Sequence, residues 1–213
     1  MKNKTTILGA VLAVAGFAQV ASATPTLPTA AGLYLVDTAT GDTAFAAAVG
    51  GIANFTGTLG DYSVNISSTG TTIAGGGAPS LDLDVANAHA GAGATTLQVY
   101  YSDGAFGPTA GNFTLSTTGP TTGGPITSSA YIGSTFFSTT TTLASSVDTY
   151  PFTVNGTASI NSSSYYLTLE DLITGSEVSV DTHFVGVPDG GATLLLLGMA
   201  LSGVGLLRKK LAA

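Results

Sequence analysis

Between Thr24 and Val187 the chain divides into short segments in which apolar and polar residues alternate, separated by Gly, Asn and Asp. A period of two is the spacing of a strand with one buried face, so this pattern constrains the fold more than any other feature. Tyr62, Val64 and Ile66 share one face of such a segment, with Ser63, Asn65 and Ser67 on the other. Leu81, Leu83 and Val85 repeat the scheme around Asp82 and Asp84, and Leu97, Val99 and Tyr101 line a third strand that Asp103-Gly104 is expected to end as a turn. Further strands are expected at 32–38, 112–116, 129–132, 135–139, 152–155, 165–169 and 178–185. Roughly ten short strands with frequent glycine turns read as an all-β domain, a β-sandwich or jelly roll, with helix confined to the two ends of the chain. Gly75 to Gly77 and Gly119 to Pro125 read as loops inside one domain, and Ser138 to Thr142 as an edge strand or loop.

The 213 residues suffice for one domain with a core of its own plus targeting segments. Cysteine is absent, which removes disulfides, thiolate metal sites, cysteine nucleophiles and a lipid-accepting cysteine together. The formal charge of -7 is sharply segregated: Lys2, Lys4, Arg208, Lys209 and Lys210 are the only basic residues, and all carboxylates lie from Asp37 to Asp189. A middle without Lys or Arg repels nucleic acid and anionic headgroups and leaves divalent cations as the ionic partners its charge favours.

The ends read as addresses. Lys2 and Lys4 precede the apolar stretch Ile7 to Ala18, and Ala21-Ser22-Ala23 sets small residues at the -3 and -1 positions of a signal-peptide cleavage site. Residues 1–23 are therefore expected to be a signal helix, and 24–186 an extracytoplasmic domain. At the other end, residues 192–207 form an uncharged apolar run stopped by Arg208-Lys209-Lys210. As a helix that run reaches about 24 Å, short of a hydrocarbon core of about 30 Å. The basic cluster keeps this end cytoplasmic and places the domain outside. Three glycines, Gly198, Gly203 and Gly205, weaken it further as a permanent anchor.

Directly before the run stands Val187-Pro188-Asp189-Gly190-Gly191. This motif, the short apolar helix and the basic cluster together resemble the PEP-CTERM class of sorting tails, specifically its VPDSG-CTERM variant, with Gly190 where the named pattern has Ser. The resemblance covers residues 187–213. It implies an exosortase-type processing protease as partner, a membrane-held intermediate, and display at the cell surface or in the extracellular matrix. Pro188 and the glycine pair suit the extended, unstructured backbone that a protease needs beside the bilayer.

No catalytic constellation emerges from the middle. Asp82 and Asp84 share one strand face and are the candidates for Ca²⁺, if loop oxygens join them. Glu170 and Asp171 are adjacent on a strand, so they diverge to opposite faces and do not form a glycosidase pair. His89 falls in a loop-like stretch and His183 on the outward face of the last strand with Ser179 and Asp181, and neither is joined by a G-x-S-x-G elbow. Tyr100-Tyr101 and Tyr165-Tyr166 each send one ring inward and one outward, where it is able to stack on sugars. The expectation is a non-enzymatic exported surface or matrix protein without a cofactor. The alternatives are a secreted carbohydrate-binding module, with an extracellular polysaccharide as partner, and a plain single-pass membrane protein.

Overall fold

The structure of the chain, a computed structural model, describes residues 26–71, 79–91, 96–106, 109–119, 121–122, 125–147, 152–160, 164–174, 177–188, 199 and 201–202. Its strands are β1 (Gly32–Asp37), β2 (Thr43–Ala47), β3 (Ile52–Leu59), β4 (Tyr62–Thr71), β5 (Ser80–Ala90), β6 (Leu97–Phe106), β7 (Thr109–Thr118), β8 (Thr121–Thr122), β9 (Ile126–Gly133), β10 (Thr141–Val147), β11 (Phe152–Ile160), β12 (Tyr165–Ile173) and β13 (Glu177–Pro188). The fold is all-β. One sheet has the order β10-β9-β12-β6-β1-β2; the other runs β11-β7-β13-β5-β4-β3, with β8 as a short addition to β13. Every pairing is antiparallel.

Alternation along the strands builds one core between the two sheets. Leu35, Val99 and Leu169 of the first sheet and Ile66, Leu83 and Phe184 of the second belong to a single buried cluster. Tyr101 and Tyr165 point into it, so each tyrosine pair splits between the faces as its spacing predicts. Burying such side chains contributes about 1.5–3 kcal/mol each, which compensates for the missing disulfides. Register slips at Asn65/Ile66 and Val178/Val180 bracket Ala86 on β5. That bulge moves the inward set from Val85 to Ala88 and turns His89 outward, within a strand rather than the expected loop.

Two other expectations are corrected. Asp103-Gly104 does not end β6: the Asp103 carboxylate is nearly buried and accepts from Gly104 N at 2.8 Å, and the strand continues to Phe106. Gly104 is required there because a Cβ would lie 2.0 Å from the Tyr166 ring. Residues 135–139 are not a strand but part of the connection from β9 to β10, where Phe137 adopts φ 57°. Strands β2 and β3 were not expected from the sequence, whereas the Ser138 to Thr142 run does lead into an edge strand, β10.

The expected signal segment 1–23, with Ala21 and Ala23, lies outside the described residues, as do Asp189, Gly190, Gly191, Arg208, Lys209 and Lys210. Of the run 192–207, Met199, Leu201 and Ser202 are described and have helical backbone. Among the described residues no helix is long and apolar enough to cross a membrane.

Candidate functional site

Three places bring together residues with chemical potential: the junction between the domain and its tail, the outer face of β5 and β13, and the outer face of the sheet that contains β6.

At the junction, β13 runs past residue 186 to Pro188. Its pairing with β5 ends at Val185 opposite Ser80, closed by Gly186 N donating to Pro79 O at 2.8 Å. Beyond that point, among the described residues, β7 accompanies it, with Val187 opposite Asn112 and Pro188 opposite Gly111. The first two motif residues are therefore in the ladder and not in loose chain. Pro188 is the last residue of the strand, a position where proline is tolerated because few ladder bonds remain to be donated. Four peptide steps separate Pro188 from Ala192, a reach of about 14 Å, so the sheet end lies close to the start of the apolar run.

On the outer face of β5 and β13, Asp84 is opposite Asp181 and Asp82 opposite His183. Asp82 and Asp84 share this face as their spacing predicts. Partial burial pushes the Asp82 carboxyl up to about 6, reinforced by the hydrogen bond to Asp181 and the charges of Asp181 and Asp84, while His183 works the other way. His183 Nδ1 stands 3.9 Å from Asp82 Oδ1, and at the far end of the same strand pair His89 Nδ1 stands 3.6 Å from Glu177 Oε1. The arrangement is a row of carboxyls and one imidazole along the outer side of two paired strands. Among the described residues no group of three or more His, Asp or Glu side chains is arranged to hold a metal ion.

The third place was only half visible in the sequence. A single rung crosses all six strands of the first sheet: Phe45 opposite Tyr34, then Tyr100, Glu170, Ser129 and Ser145. All of them face outward, opposite to the core-facing Leu35, Val99 and Asp171, so Glu170 and Asp171 do diverge. Tyr131 Oη donates to Glu170 Oε2 at 2.6 Å. Tyr100 also hydrogen-bonds Glu170, and burial together with that carboxylate raises both phenols, Tyr131 to about 12. Tyr34 stacks on Tyr100 with ring centroids 6.2 Å apart. Phe137, carried over this face by the β9–β10 connection, meets Tyr34 and Phe45 edge-on at 5.8 and 6.1 Å. Its N–H donates to Ser102 Oγ at 3.0 Å, and the neighbouring Phe136 meets Tyr166 edge-on at 4.5 Å. The adjacent Phe136-Phe137 pair was the available signal, but a period-two reading forces adjacent rings to opposite faces and hid that both cover one sheet.

No curated protein matches the chain. A family model described as the VPDSG-CTERM motif matches residues 186–211, which begins on Gly186 inside β13 and spans the motif, the apolar run and the basic cluster. The motif is a C-terminal sorting signal, associated with the membrane and with processing by an exosortase-type enzyme, and the chain thus carries the VPDSG-CTERM tail of an exported protein.

Proposed function

We propose that the chain is a non-enzymatic β-sandwich protein of the cell envelope or extracellular matrix. It is exported through its signal peptide, held for a time at the membrane by its tail, and released or transferred by an exosortase-type protease. The observation that carries this reading is the match of residues 186–211 to the sorting motif, directly continuous with the last strand of the domain. A short glycine-containing apolar run with a firm basic stop suits a temporary hold better than a permanent anchor. The non-enzymatic part is supported by the two histidines, each set beside a single carboxylate on an open strand face rather than in a cleft.

A second reading, carbohydrate binding, is favoured by the partly exposed Phe136 and Tyr166 rings on the same sheet face as the Tyr131–Glu170 pair. Aromatic faces next to a hydrogen-bonding carboxylate are suited to a neutral sugar, and the lack of cations disfavours a sulfated or uronic one.

Mass spectrometry of the mature protein in a host that possesses the protease tests the main reading: residues 192–207 should be gone. Replacing Pro188 and Asp189 by Ala should keep the uncut form in the membrane. Full-length chain as the sole stable species would leave a plain single-pass membrane protein.

A further inference from the structure

Among the described residues nothing guards the edges of either sheet. β2 and β10 bound one sheet and β3 and β11 the other. None of these four strands contains Asp, Glu, Lys, Arg, His or Pro. Every carboxylate that falls within a strand falls in β1, β5, β6, β12 or β13. Soluble sheets ordinarily guard their edges with charge or proline, because a bare edge offers its free N–H and C=O groups to another chain. Apart from Leu27 ahead of β1, the exposed large apolar residues described in the domain gather at these same edges: Phe45 on β2 is 41% exposed, Val49 and Ile52 at the β2–β3 connection are 81% and 50%, and Val147 on β10 is 55%.

The topology specifies what fits. The β2-to-β10 sheet has six strands, all antiparallel, so its two edge strands run in opposite directions. They are also level. Following the rungs, Thr43 leads through Val36, Gln98, Leu172 and Thr127 to Val147, and Ala47 leads through Gly32, Ser102, Thr168 and Tyr131 to Thr142. A second copy displaced sideways thus sets its β2 antiparallel to β10 along the full length of β2. Phe45 then lies across from Ser145 and diagonal to Val147, a large ring beside a small and a β-branched neighbour. On the inner side the approaching residues, Ala44 and Ala46 against Ala144 and Ser146, are small and uncharged.

We infer that the partner of this surface is a second copy of the same chain, added head to tail through β2 on β10. Each copy keeps one free edge of each kind, so the contact is heterologous and repeats into an open filament. Pairing of β2 with β2 leaves every β10 bare and ends at two copies. The other sheet follows passively: its edges are out of level, since Ile52 leads through Thr69, Asp82, His183 and Ser116 to Thr153, near the start of β11. The five paired residues of β2 make a small contact. Chains held on one surface meet at high effective concentration, which is where a weak repeated contact is sufficient.

The chain has no cysteine, so introduced thiols report directly. Ala47→Cys and Thr142→Cys are exposed positions on the same rung, brought together between copies and at opposite edges of the six-stranded sheet within one. The full chain carrying both, in membranes of an expressing host under mild oxidation, should give a ladder of covalent oligomers. Each single variant alone should stay monomeric, and the two mixed in one membrane should stop at a dimer. Ser145→Lys added to the double variant should abolish the ladder, with folding checked by circular dichroism. Absence of a ladder from the double variant overturns the proposal, as does a dimer from Ala47→Cys alone, which would show β2 on β2, or a ladder unchanged by Ser145→Lys. The high effective concentration rests on the membrane-held state of the proposed function, and recovery of the full chain in the membrane fraction checks that state by itself, so failure here and failure of the sorting reading are distinguishable.

Discussion

Thr182 of β13 donates a hydrogen bond to Oδ1 of Asp171 on β12 at 3.0 Å, joining the two sheets through the middle of an apolar core. Ser128 Oγ donates to the same oxygen at 2.5 Å, and Thr117 stands 3.2 Å from Thr182, so a short hydroxyl chain ends on a fully buried carboxyl. Its other oxygen, Oδ2, has no hydrogen-bond partner among the described residues. An ionised carboxylate is expensive in such a place, and a neutral one much less so.

Burial accordingly pushes the Asp171 carboxyl up to about 7, against the opposing pull of Ser128 and Thr182. A group that holds its proton more firmly when folded than when unfolded favours the fold at low pH. Its contribution is complete below the ordinary carboxylate range near pH 4 and is lost as pH rises through about 7. Asp82, raised to about 6, and Asp103, also raised by burial, act in the same direction. The melting temperature should therefore fall by several degrees between pH 5 and pH 8, and Asp171→Asn should flatten that slope. A melting temperature that rises over the interval would contradict the assignment.

Asp37 ties the β1–β2 turn to the β3–β4 turn. Its Oδ1 accepts from Ala39 N at 2.8 Å and Thr40 N at 3.4 Å, and its Oδ2 accepts from Asp61 N at 2.9 Å. The fit is close enough that a Cβ at Gly60, which has φ 53°, would strike that oxygen. Asp37→Ala leaves three backbone donors short of their acceptor and should cost about 3 kcal/mol, lowering the melting temperature by about 10 °C. Asp37→Asn, which retains one acceptor oxygen, should fall between.

Strands with large apolar residues at every second position were legible: β4, β5, β12 and β13 lie where Tyr62, Leu81, Tyr165 and Val178 begin their alternation. β2 was not, because Thr-Ala-Phe-Ala-Ala offers one large side chain and alanine has little strand preference of its own. It is a strand because β1 gives it a ladder from Gly32 to Val36. Asp103-Gly104 misled for the opposite reason: a turn pair by composition, it was kept extended by tertiary contacts that no local pattern encodes. The sorting tail was legible because its signal lies in the order of three parts along the chain. The Tyr100–Glu170–Tyr131 cluster comes from three separate strands and depends on register, which the sequence does not state.

Phe137 offers a test of the aromatic face. It is 2% exposed, yet its backbone stands at φ 57°, a region that costs a side-chain-bearing residue about 1–2 kcal/mol. Removing the ring should destabilise by about 3 kcal/mol or more. The order of two replacements is the sharper observation, since Phe137→Gly should be more stable than Phe137→Ala by about 1 kcal/mol, the reverse of the usual ranking in a strand. Chemical denaturation of the three proteins settles it, and an alanine variant as stable as the glycine one would show that the strain is not felt.

The proposed processing of the tail predicts a position for the cut. A protease takes its substrate as a single extended strand, but Val187 and Pro188 are engaged with Asn112 and Gly111 on β7. Freeing them requires the end of β13 to peel away, whereas Asp189, Gly190 and Gly191 follow in the sequence, directly before the apolar run. A cut after Pro188 leaves every residue of β13 in the released domain. Mass spectrometry should therefore find the new C-terminus at residues 188–191, with β13 complete in the released domain. Cutting the gene after Gly186 should give a domain that melts at lower temperature than one cut after Pro188, because the last two pairs with β7 are lost. A mature C-terminus at Gly186 or earlier would mean that the protease acts on the chain before β13 has joined the sheet.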